Sequence, residues 1–553
     1  MAAKPRQQRP QIQLLLLLPL LLLCLATISS SSSAATAVEP QPTTPLTAAA
    51  AQKALERMMA AKLYGPEEVL KLAAKPSPAP RNYKTLAQRL SSPGEKVKVV
   101  AFGGSVTAGY GLNDRRQNWA QQLTNWLAAA FPEAQLRLSN LARDGTTIAM
   151  AESCWYQYTP QDADLILIDF NLNSCSYSTC RSVVAPQIAA YENLIRRLIS
   201  QAPNAALLSF EAFAFGSYNV NVAGGGTATM PMPYYNSGED MHAMVAARYG
   251  VPLVSARDAL YDLLWQEGAV QLNAALGVSR SSLLQDNKHP THLGSRLYGR
   301  GLAAFAVRQL LSKELQEMAA GVGDQAAGSP LLQALQQQQQ QQGYELPAAI
   351  SPLAAQYADL PTFCAEGEAF QSYVITGENN TVDGWEWLES SFSRGCDLGN
   401  CRVVGYSSAT EGKPLQIQIN TAKPAAAAAA AAAADLASSR RRRSTAGSPI
   451  RLNLLVFTGA RRISRDQNVG QGRLECVASC SCWPATLGAF RENSTEVQKS
   501  GITSVQVTAH PECTLQVTAA GSGWVQLLGV AVVPFFSNVA LTSVDSTAME
   551  MGL

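Results

Sequence analysis

Ser105 stands in Gly103-Gly104-Ser105, at the end of the apolar run Val97–Phe102, with Gly109 four residues further on. Glycine permits backbone angles and close approaches that a side chain blocks. A serine between glycines after a buried strand therefore sits on a sharp turn, where its hydroxyl can be offered to a ligand. A free hydroxyl is a poor nucleophile and needs a base beside it. The chain has four histidines, His242, His289, His292 and His510. His242 falls in an expected helix and reads as structural, and His510 lies among strand-like residues of the second half. The loop Gln285–Gly294 holds the other two. In it Asp286 precedes His289 by three residues, and Pro290 stops the turn before the next helix. A carboxylate so placed can hold one tautomer of an imidazole. Ser105, His289 and Asp286 together would perform acyl transfer through a serine. The competing readings are a solvated serine on an ordinary strand-to-helix turn and a loop in which Asp286 and His289 only bond the turn. His292 is the rival base; it follows the proline and is expected in the first turn of the next helix.

These residues need a scaffold that gathers them. Val97–Phe102, Leu136–Leu141, Leu165–Phe170, Ala205–Phe210 and Val251–Val254 are strand candidates, and amphipathic segments such as Tyr191–Ser200 and Ser237–Tyr249 separate them. This alternation predicts an α/β fold, a parallel sheet with helices on both faces. Ligands on such sheets bind beyond the carboxyl ends of the strands. The polar clusters follow those ends: Ser105 after the first strand, Asn140 to Gly145 after the second, Asn171 to Ser174 after the third.

Gly-Gly-Ser105, Asn140…Gly145, Asn171-Leu172-Asn173-Ser174 and Asp286-x-x-His289-Pro290, in that order, resemble the four blocks of the SGNH (GDSL-type) hydrolases. The resemblance covers about residues 96–312. It implies a flavodoxin-like parallel sheet and a serine esterase that uses no cofactor and no metal. It implies Ser105 as nucleophile, with Asp286 and His289 completing a triad. The oxyanion hole would be the Ser105 N–H, the Gly145 N–H and the Asn173 side chain. The sequence departs from the usual pattern at Gly104, where aspartate is commonest. It departs again at Asn171 and Ser174, where the third block usually has glycine and aspartate.

The chain of 553 residues is 47% hydrophobic with a net charge of +2, which gives no argument for nucleic acid as a partner. Lys4, Arg6 and Arg9 precede the apolar run Leu14–Ile28, the order of a secretory leader. Residues 1–37 are expected to be a signal peptide or, if uncleaved, a signal anchor, which alone would bring a membrane partner. Ten of the 11 cysteines lie outside this leader, so disulfides are expected, with a pairing that the sequence does not reveal. The competing reading is a thiol site for zinc at Cys476, Cys480 and Cys482. Residues 38–95, rich in Ala, Ser, Thr and Pro, read as a low-complexity tether with one short helix near Leu55–Leu72.

The hydrolase domain is expected over 96–318 and a Gln-rich linker over 319–345. Residues 346–540 carry Phe370–Thr376, Leu415–Thr421, Ile450–Thr458, Ser504–Ala509, Thr514–Ala519 and Val525–Val533 between turn-forming residues. That spacing predicts an all-β, sandwich-like domain. A low-complexity loop interrupts it at 424–448, and 541–553 form a tail. Trp385, Trp387 and Tyr406 could stack on sugars but are expected in its core. Asn379-Asn380-Thr381 and Asn493-Ser494-Thr495 are glycosylation sequons. The expected function is an exported esterase acting on short acyl, acetyl-type esters of an extracellular polysaccharide. The alternatives are a polysaccharide O-acyltransferase of the secretory pathway and a non-catalytic carbohydrate-binding or adhesion protein.

Overall fold

The computed structural model describes residues 46–75, 77, 79–144, 146–174, 180, 182–215, 217–222, 226–231, 238–264, 273, 276–321, 346–352, 354, 362–377, 381–391, 402–422, 452–459, 470–487, 500–521 and 523–534. The leader, Gly145, the Gln-run linker, the sequon asparagines, the 424–448 loop and the tail lie outside the described residues.

Among the described residues, eight strands belong to the first half of the chain: β1 (Ala74–Lys75), β2 (Lys96–Gly103), β3 (Gln135–Asn140), β4 (Leu165–Asp169), β5 (Ala206–Glu211), β6 (Ser217–Val222), β7 (Gly226–Pro231) and β8 (Leu253–Ser255). Six of them form one sheet in the order β1-β8-β5-β4-β2-β3. The steps from β3 to β8 are parallel. The two-residue β1 is antiparallel to β8 and closes the edge. Among the parallel strands this is the 2-1-3-4-5 order of flavodoxin-like sheets, whose ligand crevice opens between the first and third strands. Here those are β2 and β4, which end at Gly103 and Asp169. The central strands are apolar on both faces, as helix-covered parallel strands must be: every residue of β4 and β5 is buried. The strands β6 and β7 pair as a separate hairpin, a pairing the sequence reading did not anticipate.

Residues 48–91 do not form a tether. They contribute the helices Ala48–Ala60, Glu67–Ala73 and Tyr83–Ser91. Ala51, Ala54 and Met58 lie on one face of the first, in a core shared with Leu311 and Leu315 of the helix Ala304–Ala319. Alanine-rich composition disguised a helical face made of small residues. Strand β1 adds this segment to the sheet itself.

The second half contains β9 (Phe363–Glu366), β10 (Glu386–Ser391), β11 (Arg402–Ser408), β12 (Pro414–Ile419), β13 (Leu452–Gly459), β14 (Gln471–Ala478), β15 (Ala485–Leu487), β16 (Ser500–Val507), β17 (Cys513–Ala520) and β18 (Val525–Pro534). They form two antiparallel sheets, β10-β11-β18-β13-β16 with β9 also on β18, and β12-β17-β14-β15. Their facing sides enclose a core of Leu415, Ile417, Leu515 and Val517 against Leu454, Val456, Val530 and Val532. Trp385 and Tyr406 are buried there as expected, with Trp387 packed against them. Phe370–Thr376 is not a strand; Glu368–Gln371 is a short helix.

The outer side of the first sheet is buried too. Leu455, Phe457, Leu528, Ala531 and Val533 share one cluster with Ile148, Met150 and Trp155 of the α/β half. The strands β13 and β18 are therefore apolar on both faces, whereas β12 alternates. The Cys154–Cys364 disulfide joins the halves, with Cα atoms 5.3 Å apart. The segment 346–352 docks on the helix Pro186–Gln201: the Ile350 and Ser351 N–H groups donate to Glu192, both at 2.7 Å. It belongs by packing to the α/β half, not to the β half assigned from sequence. Cys476 pairs with Cys482 and Cys480 with Cys513. The sulfurs that could have passed for zinc ligands are thus held in disulfides. No helix among the described residues is long and apolar enough to cross a membrane.

Candidate active site

Ser105 opens a four-residue helix, Ser105–Ala108, directly after β2, and Gly109 ends it with a left-handed φ of 81°. The Ser105 Oγ lies 2.7 Å from His289 Nε2. On the other side of the ring, His289 Nδ1 lies 2.6 Å from Asp286 Oδ2. The loop bearing both is closed by the Gln285 N–H on the His289 carbonyl at 3.0 Å. Asn287 turns it with a φ of 62°, a left-handed conformation that asparagine tolerates better than most residues. This turn points the carboxylate back, and Asp286 Oδ1 accepts from the His289 N–H at 2.7 Å and the Lys288 N–H at 3.2 Å. Burial pushes the Asp286 carboxyl up, but the hydrogen bonds and charge of His289 outweigh it and hold the group at about 2. Asp286 is therefore ionised and can only accept, so Nδ1 carries the ring proton and Nε2 is left to accept from Ser105. Tyr110 covers the imidazole, with ring centroids 4.6 Å apart. His292 is exposed at the first position of the helix His292–Arg296. His242 is buried against Glu211, so of the four histidines only His289 reaches Ser105 among the described residues.

Asn173 lies in the short helix Asn171–Ser174 after β4. The two departures from the family pattern hold this helix. The Asn171 side chain donates to the Ala212 carbonyl at 3.0 Å, and Ser174 Oγ accepts the Ile148 N–H at 2.8 Å. Between them the Asn173 Nδ2 donates to the Thr146 carbonyl at 3.0 Å. The third departure has a steric reason. A Cβ on Gly104 would lie 2.0 Å from Asn173 Nδ2. The glycine lets the amide rest against the nucleophile turn. Gly104→Ala is expected to push the Asn173 amide aside and lower kcat about tenfold, less than loss of the whole amide, since an oxyanion donor accounts for roughly a hundredfold or more. Steady-state kinetics beside a thermal melt checks this; a fall in melting temperature without a fall in kcat would refute it.

Residues 140–144 are stitched to the same turn. Asn140 Nδ2 donates to the Thr107 carbonyl at 2.8 Å, and the Arg143 N–H donates to the Gly103 carbonyl at 3.1 Å. Asp144 takes a bidentate grip from Arg115, at 2.6 and 3.0 Å. Below the serine, Trp119 Nε1 donates to Thr107 Oγ1 at 2.8 Å, which donates to Asp169 Oδ2 at 2.7 Å. Burial pushes the Asp169 carboxyl up to about 7. An acid raised on folding binds its proton more tightly when folded, so it lowers stability as pH climbs from about 4 to about 7. Denaturant midpoints are expected to fall across that window, and Asp169→Asn is expected to flatten the fall. A variant with the wild-type slope would assign the pH dependence to another group.

Sequence reasoning named Ser105, Asp286, His289 and Asn173, and the structure brings them to one crevice at the β2/β4 switch point. It missed Tyr110, Arg115 and Arg143. Their partners are too distant in sequence to signal them, although Arg143 and Asp144 do flank the glycine of the second block.

The fold, with a serine, a histidine and an aspartate linked by hydrogen bonds at the carboxyl edge of its sheet, defines a hydrolase of the ester-cleaving class. Residues 101–297 match the model of the GDSL-like Lipase/Acylhydrolase family, and the protein carries a domain of that family beside its antiparallel β sheets. No curated protein matches the chain. Among solved structures, a two-domain esterase active on acetylated mannans, co-crystallised with mannopentaose, is similar over 84% of this chain and 97% of its own, at 14% identity and a TM-score of 0.50. An extracellular lipase from Streptomyces rimosus is similar over 38% of this chain and 97% of its own, at 16% identity and a TM-score of 0.23. A carbohydrate esterase family 2 enzyme with a carbohydrate-binding domain, from Corynascus thermopiles, matches 42% of this chain and 68% of its own, at 14% identity and a TM-score of 0.24.

Proposed function

We propose that the protein is an exported serine esterase that removes short acyl groups, acetyl foremost, from hydroxyls of an extracellular polysaccharide. The observation that carries the reading is the continuous path from Ser105 Oγ through both nitrogens of His289 to the Asp286 carboxylate, in steps of 2.7 and 2.6 Å. Ser105 Oγ attacks the ester carbonyl carbon while its proton passes to His289 Nε2. The carbonyl oxygen gains the negative charge, which the Ser105 and Gly145 N–H groups and the Asn173 amide receive. Collapse breaks the bond to the alcohol oxygen, which takes the proton from His289. Water then repeats the sequence on the acyl-serine and releases the acid. Asp286 holds the tautomer and offsets the charge of the transient imidazolium.

Polysaccharide as the alcohol is supported by the two-domain architecture shared with the mannan esterase. Export is supported by the basic-then-apolar leader and by disulfides that persist in oxidising compartments. The test is labelling with a fluorophosphonate, located on Ser105 by peptide mapping. Acetate release from acetylated mannan, acetylated xylan and long-chain acyl glycerides would follow. Labelled Ser105 with acetate released from a glycan is the expected result. Labelled protein that cleaves only long-chain glycerides would overturn the substrate, and a Ser105 that never labels would overturn the enzyme chemistry.

A further inference from the structure

The second block and the β half meet at one buried carboxylate. Glu366 ends β9, with its side chain only 3% exposed. Its Oε1 accepts from Arg143 Nη2 at 2.9 Å and its Oε2 from Arg143 Nη1 at 3.3 Å. The same Oε2 accepts from Trp155 Nε1 at 3.1 Å. The guanidinium also lies over the Trp155 ring, 4.7 Å from its centroid. The disulfide between Cys154 and Cys364 fixes the neighbours of these residues on both sides.

Arg143 is not an ordinary surface arginine. Its N–H donates to the Gly103 carbonyl, two residues before the nucleophile, and its carbonyl accepts from Thr146 Oγ1 at 2.6 Å. The Thr146 carbonyl is the acceptor for Asn173 Nδ2. One side chain of the β half therefore lies a single residue away from the turn that bears Ser105 and from the loop that orients Asn173. The neighbouring Asp144 is held by Arg115 of the α/β half. Adjacent positions are thus gripped by opposite charges, one from each half.

We propose that Glu366 is a positioning residue for catalysis: acting through Arg143, it fixes the backbone at Arg143 and Thr146 so that the Asn173 amide stands ready, which makes the β half an integral part of the active site. This rests on the reading of Ser105 as nucleophile and of Gly145 and Asn173 as oxyanion donors. Donors that must be ordered during the reaction stabilise the transition state less than donors already in place. The substrate's ground state gains little from them, so the effect belongs in kcat and not in KM.

Glu366→Gln keeps the shape and removes the charge, and leaves Arg143 without its counter-ion. With an acetyl ester, kcat is expected to fall about tenfold while KM stays within twofold. Affinity for a trifluoromethyl ketone, which forms a tetrahedral adduct on the serine, is expected to weaken by the same factor. A neutral pair, Arg143→Gln with Glu366→Gln, separates positioning from stability, because replacing both partners of a buried ion pair is tolerated better than removing one. It is expected to regain melting temperature and keep the low kcat, and it carries the test alone if the single variant does not accumulate. Wild-type kcat and ketone affinity in Glu366→Gln, or a neutral pair that regains kcat together with stability, would overturn the inference. Wild-type protein that neither labels with fluorophosphonate nor cleaves the ester would instead overturn the underlying serine-esterase reading, and the inference with it.

Discussion

His289→Ala loses ester hydrolysis by about four orders of magnitude or more, and His292→Ala stays within about twofold of wild type. The size follows from the shared role of triad members, where removal of the base alone costs nearly as much as removal of the whole set. The contrast follows from position. His289 Nε2 is 2.7 Å from Ser105 Oγ. His292, only three residues on, is exposed beyond Pro290, with the capping hydroxyl of Thr291 turning the chain into its helix. Initial rates with a chromogenic acetyl ester check both variants, and fluorophosphonate labelling reports on Ser105 directly. If the two effects came out reversed, the block containing Asp286 would be aligned three residues out. If neither variant lost activity, the reaction would not run through this loop.

Asn173→Ala is expected to lower kcat by roughly a hundredfold or more, with little change in KM, since the amide acts on charge that develops only in the transition state. The helix should survive, because its anchors are Asn171 on the Ala212 carbonyl and Ser174 on the Ile148 N–H, not Asn173 itself. Near-wild-type circular dichroism with the kinetic loss is the expected pair of results. Full activity in the variant would remove Asn173 from the oxyanion hole.

What could be read in the sequence depended on how local its cause is. Four of the five parallel strands were legible as short apolar runs between turn residues, as burial on both faces requires; β3, at the sheet edge, showed instead as an alternation of half-buried and exposed residues. Asp286 and His289 were legible because three residues and a proline hold them in one loop. Gly104 looked like a departure from a motif. Its reason, an amide packed where a Cβ would stand, appears only when β2 and β4 are brought together. Glu366 gave no signal, because a glutamate in a strand reads as exposed until its arginine is found 223 residues away. The β13 and β18 runs carried a cue that the argument from turn spacing passed over. Leu454 to Phe457 and Val530 to Val533 are unbroken apolar stretches, and an unbroken stretch signals cover on both sides.

That double cover bears on how such a chain can evolve or be engineered. The connector at 319–345 looks like a natural place to cut and rejoin two modules. Exchange there would not sever a tether. It would strip Leu455, Phe457, Leu528 and Val533 of the helices they pack against, each a loss of up to about 1.5–3 kcal/mol for a large aliphatic or aromatic side chain returned to water. A foreign α/β domain would have to present the same contour, and a foreign β domain the same buried stripe. The two halves can be exchanged only as one piece.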